Sequence, residues 1–425
     1  MEYRARIADK LLERKLRGKG AVLITGAKWC GKTTTAEQVA KSVIYMDDPK
    51  LKSTYLSLAE IGIEQLLEGD TPHLIDEWQL APQLWDAIRY EVDHREALGQ
   101  FILTGSAVPA DVSKIDHSGT GRFARLTMRP MSLWESGDST GEVSLRALFD
   151  GERPVRRVSE FNLEDIAYLI CRGGWPRAVD MDKDISLDQA KDYVDSVAES
   201  DLSRVDGVQR NSETTRRLLR SYARHQGSQA TIGTIMADIT AGGNYEVSDR
   251  TVSDYIEALR KIFLIEDVEA WNPNLRSKTA IRSSDTRYFV DPSIAAGAIG
   301  IGPGDLVKDL NTMGLLFETL CVRDLRVYAE SLDGKVFHYR DKNDLECDAV
   351  IHLRNGSYGL IEIKLGGDKL IQEGVSTLTK LAEKIDTDKM SAPSFKMILT
   401  AVGSYAHPLS DADDVIVVPI GCLRP

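Results

Sequence analysis

Cysteine is scarce in this chain of 425 residues: Cys30, Cys171, Cys321, Cys347 and Cys422 are scattered, and no two form a CxxC pair. No zinc or disulfide framework follows from such spacing, and an odd, unpaired set points to reduced thiols and a cytoplasmic address. Long apolar runs are missing too. None approaches the ~20 residues that a membrane-spanning helix needs, so no membrane partner is expected. Net positive charge is the third lack, with 53 Lys and Arg against 65 Asp and Glu, a balance of -12. That excludes a uniformly basic nucleic-acid binder but not a local basic face, because phosphate recognition depends on where charge sits. The N-terminal "MEYRARIADKLLERKLRGKG" is rich in Arg and Lys, yet Glu2, Asp9 and Glu13 interrupt it and it ends at an apolar strand. An ordinary helix is expected there rather than a targeting peptide.

What is present is a globular composition, 42% hydrophobic and 28% charged. A chain of this length holds roughly two to four domains at ~150 residues each. The stretch "AVLIT" at 21–25 reads as a buried parallel strand. Gly26 to Thr33 then matches G-x-x-x-x-G-K-[ST] and leads into a helical pattern. Gly26 and Gly31 free the loop to wrap an anion with its N–H groups, Lys32 brings charge to the β- and γ-phosphates, and Thr33 offers a hydroxyl to Mg²⁺. The helix N-terminus adds its dipole. The candidate phosphate-binding set is Gly26, Ala27, Lys28, Trp29, Cys30, Gly31, Lys32, Thr33 and Thr34.

Two later strands extend the site. "HLIDEWQ" (73–79) ends in Asp76, a candidate Mg²⁺ partner, and Glu77, placed to polarise an attacking water. A carboxylate pair capping the next helix is the alternative. "QFILTGSA" (100–107) ends in Thr104 and Ser106, polar groups able to sense a γ-phosphate. Strands at 21–25, 43–46, 73–76 and 101–104 alternate with helical segments, which argues an N-terminal parallel α/β sheet. Arg122 lies beyond the sensor strand, where an arginine reaches a neighbouring subunit's γ-phosphate in oligomeric ATPases; Arg125 and Arg129 compete for that role, and a plain surface salt bridge is the alternative for each.

The order "YRARIADKL", "ITGAKWCGKTT", "LIDEWQ", "ILTGSA", "RPMSLWE" and "GGWPRAV" resembles the AAA-type ATPases of bacteria and archaea. These often carry a C-terminal domain of unknown function related to the PD-(D/E)xK nucleases. The resemblance implies ATP and Mg²⁺ as ligands, ATP hydrolysis, a homo-oligomer, and DNA or RNA as a candidate partner. It covers nearly the whole chain. Trp29 and Cys30 depart from the small or polar residues usual in that loop, and their side chains are expected to point away from the phosphates.

The chain divides on this reading into a P-loop domain (1–150), a helical connector (151–203), a winged-helix-like domain (204–280) and a nuclease-like α/β domain (281–425). In the connector, Gly173, Gly174 and Pro176 mark a turn, and Arg177 is a candidate lid residue beside a plain helix–helix connection. Arginines outnumber acids over 204–224. A short helix (232–239), a turn at Gly242-Gly243, a helix capped by Ser248 and a strand "FLIEDVEAW" resemble a winged helix-turn-helix. Asp249, Arg250 and Ser253 would then enter a DNA groove, although Asp249 and Asp254 would oppose phosphates. DNA contact and a purely structural use both stay open.

Strands expected at 335–340, 345–353 and 358–365 carry Asp348 and then Glu362-Ile363-Lys364, a D…ExK pattern. In the nuclease pattern the two carboxylates hold Mg²⁺ and the lysine orients or deprotonates water. Glu318, in an upstream helix, is a further metal candidate, and Glu346 an alternate ligand. A Glu–Lys pair on a solvated sheet face is the competing reading. A two-residue Asn355-Gly356 loop would turn Asp348 away from Glu362. A bulge or an odd loop is therefore expected, such as Arg354 pairing with Tyr358 across three residues and Asp348 opposing Lys364.

Overall fold

Strand β1 (Ala21–Thr25) begins a five-stranded sheet completed by β2 (Ser42–Tyr45), β3 (His73–Asp76), β4 (Phe101–Gly105) and β5 (Phe123–Thr127), in the order β2-β3-β4-β1-β5. Every pairing is parallel. The strands are apolar without alternation because both faces are covered. Leu23, Ile75, Phe101 and Leu103 pack against Trp78, Trp85 and Ile88 on one face. Val22, Ile24, Leu74 and Ile102 pack against Leu12 and Ala36 on the other.

The computed structural model describes residues 2–154, 157–241, 246–273, 284–403, 405–409 and 414–425. They form two compact units: Met1–Pro130 with Ser196–Ser212 and Asp254–Leu264, and Met131–Asp195 with Glu213–Ser253 and Ile265–Pro425. This division cuts across the four consecutive segments that the sequence suggests. The reason is local: Val108 N donates to Lys261 O at 3.0 Å, and Lys28 pairs with Asp201 at 2.7 Å, which fastens later chain onto the first unit.

The second unit holds the short strands β6 (Val143–Ser144) and β7 (Arg157–Val158), then β8 (Gly334–Arg340), β9 (Glu346–Leu353), β10 (Tyr358–Lys364), β11 (Phe395–Thr400), β12 (Tyr405–Pro408), β13 (Val415–Pro419) and β14 (Leu423–Arg424). A mixed sheet runs β7-β12-β13-β11-β10-β9-β8. Val350, Leu360, Ile398 and Val417 share a core with Val375, Leu378 and Leu381 of the helix Asp368–Lys384. The chain is thus α/β, with a parallel N-terminal sheet and a mixed C-terminal one.

Two expectations for the middle change. Helices Ile232–Thr240 and Asp249–Lys261 are present, and Ser248 Oγ accepts from Thr251 N at 3.1 Å. The expected strand over 263–271 is not formed: Ile265, Val268 and Ala270 make isolated bridges to Phe289, Thr286 and His338. Ile265 and Val268 pair with Phe289 and Thr286 in one antiparallel register, and residues 274–283, which join those two arms, lie outside the described residues, as does the Gly242-Gly243 turn. The arginine run is also largely neutralised by acids. Arg210 pairs with Asp206 at 2.7 Å, Arg216 with Asp195, Arg217 with Glu213 at 2.9 Å and Arg224 with Asp238 at 3.6 Å.

Candidate functional site

The loop after β1 takes its shape from three positive φ angles: Gly26 at 154°, Trp29 at 65° and Gly31 at 100°. A Cβ on Gly26 would stand 2.0 Å from Met128 O, so only glycine fits that approach. Gly31 caps the helix Lys32–Glu37, whose free N–H groups therefore face the loop. Lys32 is buried, and its Nζ donates to Ala27 O at 2.9 Å, which holds the ammonium inside the loop's curve. Cys30 is buried with Sγ on Met128 O, whereas Trp29 is 54% exposed.

Asp76, at the carboxyl end of β3, lies level with Thr104 on the adjacent β4. One oxygen, Asp76 Oδ1, accepts from both Thr33 Oγ1 (2.8 Å) and Thr104 Oγ1. Burial raises the Asp76 pKa, and the hydrogen bonds from Thr104 and Thr33 oppose the rise. Glu77 sits in the left-handed region at φ 53°, an uncommon place for a non-glycine residue. Its Oε2 accepts from Gln79 Nε2 and, at 3.0 Å, from Ser106 Oγ. Phosphate loop, Asp76, Glu77 and Thr104 thus all gather at the carboxyl edge of the sheet, where open α/β sheets bind ligands. A hydroxyl and a carboxylate side by side, both hard oxygen donors, fit Mg²⁺.

Three contributors lay outside the sequence reading. Arg6 donates to Cys30 O and to Arg129 O, each at 2.8 Å, bracing the loop from behind. Gln79 fixes Glu77, and Asp201 reaches Lys28. Arg6 could have been noticed as one of many N-terminal basic residues; nothing in local spacing singles out the other two. Arg122 sits elsewhere. Its carbonyl accepts from Ala21 N at 3.2 Å, at the amino end of β1, and its guanidinium pairs with Asp93 at 2.7 Å. It does not join the phosphate loop of its own chain. Arg125 lies over Trp85, 5.7 Å from the ring centroid.

In the second unit Leu353 N donates to Ser357 O at 2.9 Å, so the hairpin loop is Arg354-Asn355-Gly356, with Gly356 at φ 91°. The loop has the odd length expected, but one position earlier in the chain. The register Leu360↔Val350 and Ile361↔Ala349 carries Asp348 opposite Glu362 rather than Lys364. The one-residue difference arises because Asn355 Oδ1 accepts from Ser357 N (2.9 Å), which closes the turn before Ser357. Asp348, Glu362 and Lys364 still converge: Lys364 Nζ lies 2.7 Å from Glu362 Oε2 and 3.2 Å from Asp348 Oδ2. Asp348 Oδ2 also accepts from Ile363 N at 2.7 Å.

Burial and then the charge on Asp348 push the carboxyls of Glu318 and Glu362 well above the usual carboxylate range. Tyr288 Oη donates to Glu318 Oε1, which leaves Glu318 fixed beside the pair. The Lys364 ammonium, however, takes the place between Asp348 and Glu362 that a cation would need. Among the described residues no group of three or more His, Cys, Asp or Glu is arranged to hold a metal ion. Asp348, Glu362 and Lys364 form an ion cluster, with Glu318 held beside it by Tyr288. Glu346 is drawn off by Arg340 at 2.6 Å. Thr400, level with Lys364 on β11, has a buried hydroxyl without a hydrogen-bond partner.

Residues 18–136 match the AAA domain family, residues 163–305 a domain of unknown function (DUF8612), and residues 313–423 another (DUF4143). Uncharacterised proteins of Mycobacterium bovis and Mycobacterium tuberculosis are each 23% identical over 422 residues, 97% of this chain and 83% of theirs. A Walker-type ATPase of Pyrococcus abyssi aligns over 68% of this chain and 94% of its own, at 16% identity and a TM-score of 0.43. Among the described residues no helix is long and apolar enough to cross a membrane. Residues 18–136, which hold the phosphate loop and the parallel sheet, are thus similar to the AAA domain family, which supports ATP binding and hydrolysis.

Proposed function

We propose that the first unit binds and hydrolyses ATP with Mg²⁺. The observation that carries this reading is Asp76 Oδ1 receiving both Thr33 and Thr104 beside the phosphate loop. Lys32 and the loop N–H groups bind the β- and γ-phosphates. Thr33 and Asp76 are the residues that would hold Mg²⁺, which neutralises charge on the phosphates when bound. Glu77, steered by Gln79 and Ser106, takes a proton from water aimed at the γ-phosphate. Thr104 stands where it reads whether that phosphate is present. Steady-state turnover of ATP by the parent chain, by Lys32→Ala and by Glu77→Gln tests the assignment.

For the second unit the reading is a nuclease-like site on Asp348, Glu362 and Lys364 that acts on nucleic acid, coupled to the ATPase. The convergence of the three side chains and the orphaned Thr400 hydroxyl support a ligand there. A second reading is a nucleotide-switched interaction protein with an inert cluster, favoured by the lysine closing both carboxylates. Divalent-dependent DNA or RNA cleavage lost on Asp348→Ala supports the first; no cleavage under any divalent ion supports the second.

A further inference from the structure

Lys28 stands at an x of the G-x-x-x-x-G-K-[ST] pattern, and its ammonium is not free. Nζ donates to Asp201 Oδ1 at 2.7 Å, with 44% of the Lys28 side chain exposed against 9% for Asp201. The carboxylate is therefore the fixed partner and the lysine the one with room to swing. Asp201 ends a π-helical turn, Val197–Asp201, between the helices Lys183–Ser196 and Leu202–Arg204. Such turns are rare and concentrate at functional sites. The chain following it is stapled to itself: Arg210 donates to Leu202 O and Asp206 Oδ1, each at 2.7 Å. The π turn is also where the chain returns to the nucleotide-binding unit, since Met131–Asp195 belong to the other unit.

We propose that Asp201 is a positioning residue that makes the loop discriminate ATP from ADP through Lys28, a reading that rests on the nucleotide site assigned above. The same ammonium serves two anions. A diphosphate leaves the pair with Asp201 intact. The γ-phosphate adds further negative charge at the loop, draws Lys28 away, and leaves Asp201 unpaired at the π turn. ATP binding therefore bears the cost of opening one ion pair, ADP binding does not, and the opening loosens Val197–Leu202. With one partner buried, the pair lies in the upper half of the ~0.2–1 kcal/mol typical of surface pairs, so the expected effects are about two- to five-fold and shrink with added salt.

Calorimetric titration of MgATP and MgADP, without turnover, into the full chain tests this. Asp201→Asn, which frees Lys28, tightens ATP about two- to five-fold and leaves ADP unchanged. Lys28→Met weakens ATP more than ADP, and the double variant matches Lys28→Met because Asp201 acts only through the lysine. Amide exchange over 197–204 rises with ATP in the parent chain, but not with ADP and not in Lys28→Met. Equal changes for both nucleotides in Asp201→Asn, or additive effects in the double variant, overturn the proposal while leaving the nucleotide site in place. If the parent chain binds no MgATP, or Lys32→Ala binds it equally well, the site assignment itself fails and the proposal with it.

Discussion

Glu77 adopts φ 53°, and the strain of a non-glycine residue there is sustained because Gln79 and Ser106 hold its carboxylate. A group fixed this way before substrate arrives suits a base that orients water. Glu77→Gln keeps the shape but loses the charge, so ATP binding stays within about two-fold while turnover falls by about 10² or more. Lys32→Ala, in contrast, loses binding. Turnover of Glu77→Gln at the parental rate would assign the base elsewhere. A second residue-scale outcome concerns His338, which is 4% exposed and whose pKa burial lowers to about 4. The unfolded chain takes up that proton near pH 6.5 and the folded chain does not. Its stability contribution is thus full above pH ~6.5 and is lost as pH falls through about 4, amounting to about 2 kcal/mol between pH ~7.5 and ~5. Urea denaturation at both pH values should show a smaller loss in His338→Gln than in the parent chain. Residues such as Lys32, Asp76 and Glu77 were legible in the sequence because motif and strand end fix them. Gln79, Asp201 and Tyr288 were not, since their roles come from contacts no spacing encodes.

At the scale of elements, the hairpin between β9 and β10 decides whether a second site exists at all. Its loop length was legible as odd, because Glu362 and Lys364 within an apolar strand need a partner such as Asp348 on their face. The position of the loop was not legible, because an Asn side chain closing on Ser357 chooses between two turns of equal length. Deleting Asn355 leaves an even loop and sends either Asp348 or the apolar partners of β9 to the wrong face. The expected result is a loss of several kcal/mol of stability, read by denaturant midpoint, because one register strands charged groups among Val350 and Leu360. Replacing Ser357 by Ala at unchanged length, where only the backbone pairs across the turn, should shift the midpoint little. The expected strand at 263–271 failed for a related reason. Its β-rich composition finds partners in Thr286, Phe289 and His338, so single bridges stand in place of a regular strand among the described residues.

At the scale of the whole molecule, the question is what completes the ATPase site. Arg122 immediately precedes β5 at the amino edge of the sheet, whereas the phosphate loop leaves β1 at the carboxyl edge. The intervening strand alone spans about 16 Å at ~3.3 Å per residue, and the Arg122 side chain is turned toward Asp93 instead. Arg122 thus acts on a nucleotide only if that nucleotide belongs to another copy of the chain. Its exposed pair with Asp93 is no obstacle, since solvent screens such pairs and a desolvated phosphate attracts arginine more strongly. On that reading assembly governs turnover, and activity per subunit is expected to rise with protein concentration and fall on dilution. Arg122→Ala is expected to lower turnover by about 10³ while leaving ATP affinity unchanged, because its own phosphate loop is untouched. Mixing Arg122→Ala with Lys32→Ala should restore part of the activity, since at some interfaces an intact loop meets an intact arginine. Turnover independent of concentration, with no recovery on mixing, would assign hydrolysis to a single chain and leave Arg122 as the partner of Asp93 alone.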